Sequence, residues 1–320
     1  MPTGGFTTTL STDACRTAID GVMWEEYSRE QNPGYLSAFD DFFFKQDTLD
    51  KIAFIWDEDS NVGEFNQTGE QEELTNTDTF IGNQKTKVSQ KWTKQVPVSD
   101  EAFRTDQHGK RARIGQQVGD RARVTQDRTM VQDTYGDAFA GSLNTTPDGL
   151  SLANDAHVTL KGFTVDNLET GAFTPDNAWT LTNSLAQQKA QDGDAGGHVF
   201  EGALVPFTLY KTCKEVLNSA LIANSAENNL NVFDTDYGEV RIRASVFLNS
   251  QYNANTNANT SYHFVGRGHN IIRKVLYDIT TVMIEPQYTA NDTYLHRSKY
   301  HEAHLNGTWT AYVGANGSTS

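Results

Sequence analysis

Apolar residues recur along this chain with two different periods, and the periodic runs end at clear stops. The clearest block spans 167–248. Thr174-Pro175 opens a predicted helix, because Thr174 can cap the free amides and Pro175 sits where its missing N–H costs nothing. Trp179, Asn183 and Ala186 lie on one side of that helix, with Leu181 and Leu185 nearby, and the Gly-rich run 192–197 breaks it. A buried run from Val199 to Val205 follows. Pro206 then starts a second helix, in which Leu209, Cys213, Val216, Leu217 and Ala220 form one apolar stripe. From Val240 to Leu248 the apolar positions alternate with Glu239, Arg241, Arg243 and Ser245, the mark of a strand with one buried face.

Elsewhere the same reading predicts an amphipathic helix capped by Ser11-Thr12-Asp13, with Cys15, Ile19, Val22, Met23 and Tyr27 on one stripe. It must dock either on its own subunit or on a neighbour. Phe39, Phe42, Phe43 and Phe44 read as core, and 52–56 as a strand. Ser99 is placed to cap a helix. A long helix is expected from about Lys110 to about Ala138, roughly 40 Å at 1.5 Å per residue, with Ile114, Val118, Ala122 and Tyr135 facing a sheet. Within it Gly115 and Gly119 each cost about 1 kcal/mol relative to Ala. Strands are predicted at 262–265, 274–284 and 309–313. The second of these is expected to share a sheet with the Val240 strand, flanked by the 175–191 and 206–222 helices.

The segment 57–96 differs in character. Asp57, Glu58, Asp59, Glu64, Glu70, Glu72 and Glu73 come first, with no Lys or Arg among them; Lys85, Lys87, Lys91 and Lys94 follow. This predicts a two-armed excursion, acidic then basic, in which opposite charges set register and partner choice.

Composition narrows the function. The net charge is −15, which excludes non-specific nucleic-acid binding by the whole surface. Cys15 and Cys213 both fall on helical stripes and read as packed, reduced thiols. The start carries no signal-peptide pattern and no run is long enough to span a bilayer, so the chain is expected to be made and used in a cytosol. The hydrophobic share of 37% suits a chain with long polar excursions, or one that buries surface only against its own copies. No P-loop, nucleophile elbow, CxxC pair or HExxH is present. The best metal candidate, His296, His301 and His304 with Glu302, lacks the spacing of a real site and reads as an exposed polar tail.

The order of the pieces resembles a known family. Ala156-His157, Asn167-Leu168, Thr174-Pro175 with its helix and Gly-rich break, Ala203-Leu204-Val205-Pro206 with its helix, and 228–232 before the Val240 strand are similar to the major head subunits of tailed phages with the Hong Kong 97-type fold, especially the Mu-like branch. The resemblance implies an α+β capsid fold. It divides the chain into an N-terminal arm (1–36), a peripheral domain with a spine helix (37–56, 97–146 and 300–315), an extended hairpin loop lying over the neighbour (57–96) and an axial domain (147–299).

It also implies a structural protein without catalytic, cofactor or metal sites. Such a protein assembles as hexamers and pentamers into an icosahedral virion shell around double-stranded DNA, in the host cytoplasm. A separate scaffolding protein and a portal would be its partners, with a decoration protein left open. Glu64, Glu70, Glu72, Glu73, Lys85, Lys87, Lys91 and Trp92 are the expected inter-subunit contacts. Lys110, Arg111, Arg113, Arg121 and Arg123 are the expected DNA-facing residues, against the plainer reading of pairing within the helix. A nanocompartment shell of the encapsulin kind and a hydrolase with an unrecognised site stand as alternatives.

Overall fold

The computed structural model describes residues 20–28, 42–60, 79, 81–99, 101, 110–220, 231–237, 240–253, 258–285 and 293–317, apart from the side chains of 110–112, 234 and 235. In chain order the elements are helix α1 (20–28) and strands β1 (Lys45–Thr48), β2 (Ala53–Asp59), β3 (Ile81–Val88) and β4 (Gln90–Ser99). Helix α2 (Lys110–Val131) follows, then β5 (His157–Val158), β6 (Thr164–Val165), β7 (Leu168–Glu169), α3 (Pro175–Gln187), β8 (Phe200–Pro206) and α4 (Tyr210–Leu217). The chain ends with β9 (Arg241–Ser245), β10 (Tyr262–Gly266), β11 (Ile271–Ile284), β12 (Thr293–Asn306) and β13 (Tyr312–Ala315).

One sheet has the order β1-β11-β12-β4. Its two central strands pair antiparallel, and helices α1 and α2 cover one face. Met23 and Tyr27 from α1 meet Val118, Ile114 and Ala122 from α2 over Ile279, Tyr300 and Trp92 of the sheet. Gly119 is the crossing point: a Cβ there would lie 2.4 Å from the Met23 carbonyl oxygen. The helix penalty of this glycine is therefore offset by the closeness of α1. Tyr27 donates its hydroxyl to Gln126 Oε1 at 2.8 Å or Asp278 Oδ1 at 2.7 Å, tying α1 to both layers of its own chain. Helix α2 passes into a π-helical turn, Gln132–Gly136, so the long helix extends as anticipated and carries Tyr135 into the next core.

A second sheet has the order β7-β13-β10-β8-β9, with α3 and α4 packed on it. Phe200 and Phe264 stack at 4.4 Å on neighbouring strands, and Cys213, Val216 and Leu217 cover them from α4. Thr174 caps α3, accepting from Asn177 N at 3.2 Å. The buried face of α3 is Ala178, Leu181, Thr182 and Leu185. Trp179, Asn183 and Ala186 lie on its outer side.

Two expectations change. The Val240 strand and the long strand β11 do not share a sheet: β9 is an edge of the second sheet, beside β8, whereas β11 is central in the first. Alternation identifies a strand's buried face but not its partner, and β10 takes the place beside β8. The 293–306 segment is not an exposed tail. It is the inner strand β12, with His296, His301, Glu302 and His304 all buried. β11 and most of β12, placed by sequence in the 147–299 block, join the sheet under α2, and β13 joins the second sheet. Ser99 ends β4, opposite Thr293, and the helix it was expected to cap lies outside the described residues apart from residue 101.

Candidate assembly surfaces

Strands β2 and β3 form a two-stranded ribbon with Trp56 opposite Lys85, Phe54 opposite Lys87, Ile55 opposite Thr86 and Ala53 opposite Val88. Paired residues share a face. The inner face lies on the ribbon's own chain. Trp56 covers Gly307, where a Cβ would be 2.8 Å from its ring, and Lys274 Nζ sits 4.9 Å over the Phe54 ring. Lys85 donates to Asn144 Oδ1 at 3.1 Å and to the Thr145 carbonyl. Burial lowers the Lys85 amine to about 8 and also lowers that of Lys87. Towards the ribbon's end Glu58 accepts from Asn83 Nδ2 at 3.1 Å and Gln191 Nε2 at 2.7 Å, and burial pushes its carboxyl up to about 7.

The expected contact residues fall on different parts of the structure. Lys85 engages its own chain, and Lys87, half-buried, stands on the same inner face opposite Phe54. The anticipated acid–base pairing across the ribbon is absent from the described register, in which both lysines oppose aromatic rings and Asp57 opposes Gln84. Trp92 and Lys91 are not on the ribbon at all. They lie on β4, where Trp92 stacks on Tyr300 at 6.3 Å and Lys91 stands opposite His301, exposed. Glu64, Glu70, Glu72 and Glu73 lie outside the described residues.

The outer face of the ribbon is the feature that sequence reasoning missed. Ile55 is 62% exposed and Val88 56%, and Ile52 and Ile81 near the two ends are similarly open. Alternation in 53–57 held the signal: once Phe54 and Trp56 turn inward, Ile55 must turn out.

The arginines of α2 divide. Arg113 and Arg121 are exposed. Arg123 is buried, donating to the Glu26 carbonyl at 3.0 Å and lying 3.5 Å from Asp120, so it docks α1. The side chains of Lys110 and Arg111 lie outside the described residues.

Under α2 lies a buried polar cluster. Arg273 and Glu302 pair at 2.9 Å, and His304 Nε2 is 3.5 Å from the other Glu302 oxygen. Asp127 is fully buried beside them with neither oxygen hydrogen-bonded, and burial holds its carboxyl well above the usual range. A group without a partner keeps its proton. The cluster joins helix to sheet. Among the described residues no set of three His, Cys, Asp or Glu is arranged to hold a metal ion.

No protein-family model and no curated protein matches this sequence. Solved structures do. The virus-like particle of Pyrococcus furiosus aligns over 93% of this chain and 98% of its own at 10% identity, with a TM-score of 0.53. The capsid of Myoviridae phage XM1 aligns over 90% and 94% at 11% identity and 0.52. The mature capsid of bacteriophage PhiM1 aligns over 90% and 89% at 12% identity and 0.53. The likeness joins chains that keep about one residue in ten, and this chain has the Hong Kong 97-type capsid fold.

Proposed function

We propose that this chain is the major subunit of an icosahedral shell, of the tailed-phage head type and its Mu-like branch, assembling as hexamers and pentamers around double-stranded DNA. The observation that carries the reading is the ribbon's outer face. Ile55 and Val88 stand more than half exposed on a two-stranded element, and such ribbons are marginal in water without a covering layer. A neighbouring copy supplies that layer. In this reading α2 with the four-stranded sheet is the peripheral domain, the second sheet with α3 and α4 is the axial domain, and the ribbon with 61–78 is the extended loop. A scaffolding protein and a portal complete the assembly, which forms in the host cytoplasm. The subunit works by packing and not by catalysis.

A second reading is a cellular compartment shell, favoured by the likeness to a virus-like particle over nearly the whole chain. Expression followed by sedimentation and electron microscopy tests both. Closed particles are expected, DNA inside supporting the first reading and a cargo protein the second. Ile55→Ser with Val88→Ser should leave the circular dichroism of the subunit unchanged and abolish most particles. A discrete wild-type monomer would overturn the shell reading.

A further inference from the structure

The second sheet ends at β9, and among the described residues no strand lies beyond it. A strand in that position has β8 on one side only, so half of its N–H and C=O groups point away from the sheet. A groove of about 370 Å³ runs there, lined by the four consecutive residues from Val240 to Arg243. Successive side chains of a strand point to opposite faces, and here Val240 and Ile242 are buried while Arg241 and Arg243 are exposed. A groove that touches all four follows the open edge of the strand, where a sixth strand would lie.

Helix α4 makes the opposite wall. Tyr210, Lys214 and Asn218 follow at four-residue intervals and so lie in one row, about 12 Å long, beside about 10 Å of strand. Asn218 closes one end. Its Nδ2 donates to the Val240 carbonyl at 3.1 Å, and its Oδ1 is buried without a donor. Rings hold the cations: Lys214 Nζ lies 5.1 Å over Tyr210, and the Arg241 guanidinium lies 4.9 Å over Phe42. Neither has a carboxylate within ion-pair distance among the described residues, in a chain of net charge −15.

We propose that the β9 edge takes up an extended acidic segment of a different protein, paired through its backbone as a sixth strand. An incoming strand sends successive side chains to the two walls, so neighbouring carboxylates meet Arg241 on one side and Lys214 on the other. Backbone pairing requires a polypeptide, and the cations select an acidic one. A second copy is a poorer source. Its own β9 would set arginines against arginines. Its β2 is the described strand with neighbouring carboxylates, but Glu58 is held by Asn83 and Gln191, and the pairing of β2 is irregular between Asp57 and Asp59. Irregular edges of that kind resist further pairing.

Fluorescence anisotropy on the purified full chain tests this. The probe is a labelled octapeptide with Glu at its four central positions and Thr at both ends. It should bind at least tenfold more tightly than the same peptide with Lys in place of Glu. Of two versions N-methylated at the odd or the even residues, one should lose roughly tenfold, because an edge uses the N–H groups of alternate residues and every carboxylate is still present. K214Q/R241Q should lose roughly tenfold with circular dichroism unchanged; the N-methylated probes need no variant and decide the matter if that one misfolds. Amide exchange reads the other occupants. Outward-pointing β9 amides that exchange freely and are then protected by the probe support the proposal. Protection that falls on dilution gives the edge to a second copy, and protection at every dilution gives it to the chain itself; either overturns the proposal. So does binding indifferent to N-methylation, which leaves a charged patch alone. An absence of binding overturns it too and makes Arg241 and Arg243 guards that keep the edge single. The shell reading stands or falls separately, on whether the wild type forms particles.

Discussion

Arg273 and Glu302 face each other diagonally across the β11–β12 pair, guanidinium Nε and one terminal nitrogen both 2.9 Å from the same carboxylate oxygen. Their side chains are 3% and 1% exposed. Neither strand alone explains a charge pair at this depth. The pair is held between the sheet and α2, where His304 and Asp127 complete its surroundings.

Removing one partner leaves a buried charge uncompensated. Glu302→Gln should destabilise the subunit by about 3–5 kcal/mol, read as a lower urea midpoint. The pH dependence follows from two opposed shifts. Burial by itself would raise the Glu302 carboxyl, but His304 and Arg273 hold it below its ordinary 4.5. Its contribution is present above that value and lost as pH falls through the lower folded pKa. Burial by itself would lower His304, yet Glu302 and Asp133 hold it above 6.5. That contribution is complete below 6.5 and lost as pH rises through the folded pKa. Wild type should therefore lose stability at both ends of a pH series, and Glu302→Gln should lose both slopes together.

A second expectation concerns Gly119. Its absent Cβ is what lets α1 lie against α2, with the Met23 carbonyl 2.4 Å from the position the Cβ would take. Gly119→Ala should gain helix propensity and still cost about 1–3 kcal/mol, because backbone must move. Amide exchange should rise first across 22–28 and leave β10 and β13 protected. Gly21→Ala, on α1 where a Cβ would meet nothing within 4 Å, serves as the contrast. Equal exchange in the two variants would show that the crossing tolerates a methyl group.

How far the sequence carried depended on whether a feature was local. Thr174-Pro175 marks a helix start by chemistry confined to four residues, and α3 begins there. Cys213, Val216 and Leu217 are buried as their spacing implied. Tyr135 remains in line with α2 because the π turn continues the same helix. What failed was long-range. Nothing near His301 or His304 says that β11 runs beside both and β4 beside His301, and polar residues on a buried strand look the same in sequence as residues of a tail. Lys85 looked free because its partner, Asn144, lies 59 residues away.

The ribbon's attachment should depend on pH. Burial raises Glu58 to about 7 from an ordinary 4.5, so between those values the unfolded carboxylate is ionised while the folded one keeps its proton. Stability must then decline as pH rises from 4.5 to 7 and level off above. Glu58→Gln removes the titration. Asn83 or Gln191 can turn its amide to complement the new one. The variant should show a flatter melting temperature between pH 5 and 8 and resist protease in the ribbon better than wild type at pH 8. An unchanged slope would mean that Glu58 ionises freely in the folded ribbon.

Arg121 and Arg123, two residues apart on α2, should separate folding from any contact with packaged DNA. The Arg123 side chain is 6% exposed and donates to the Glu26 carbonyl, so Arg123→Ala leaves that carbonyl short of a charged donor and should cost about 1.5–3 kcal/mol. The Arg121 side chain is 76% exposed, 3.8 Å from Asp120, and an exposed pair of that kind contributes little. Arg121→Gln with Arg113→Gln should therefore leave the melting temperature within about 1 °C of wild type, as surface substitutions away from caps and cores do. If the exposed side of α2 lines the interior, particles of this double variant should still form and should release DNA at lower salt. Each lost phosphate contact lowers the salt slope by about 1. Particles that retain DNA across the whole salt series as wild type does would place that side of α2 away from the genome and leave Arg123 a docking residue for α1 alone.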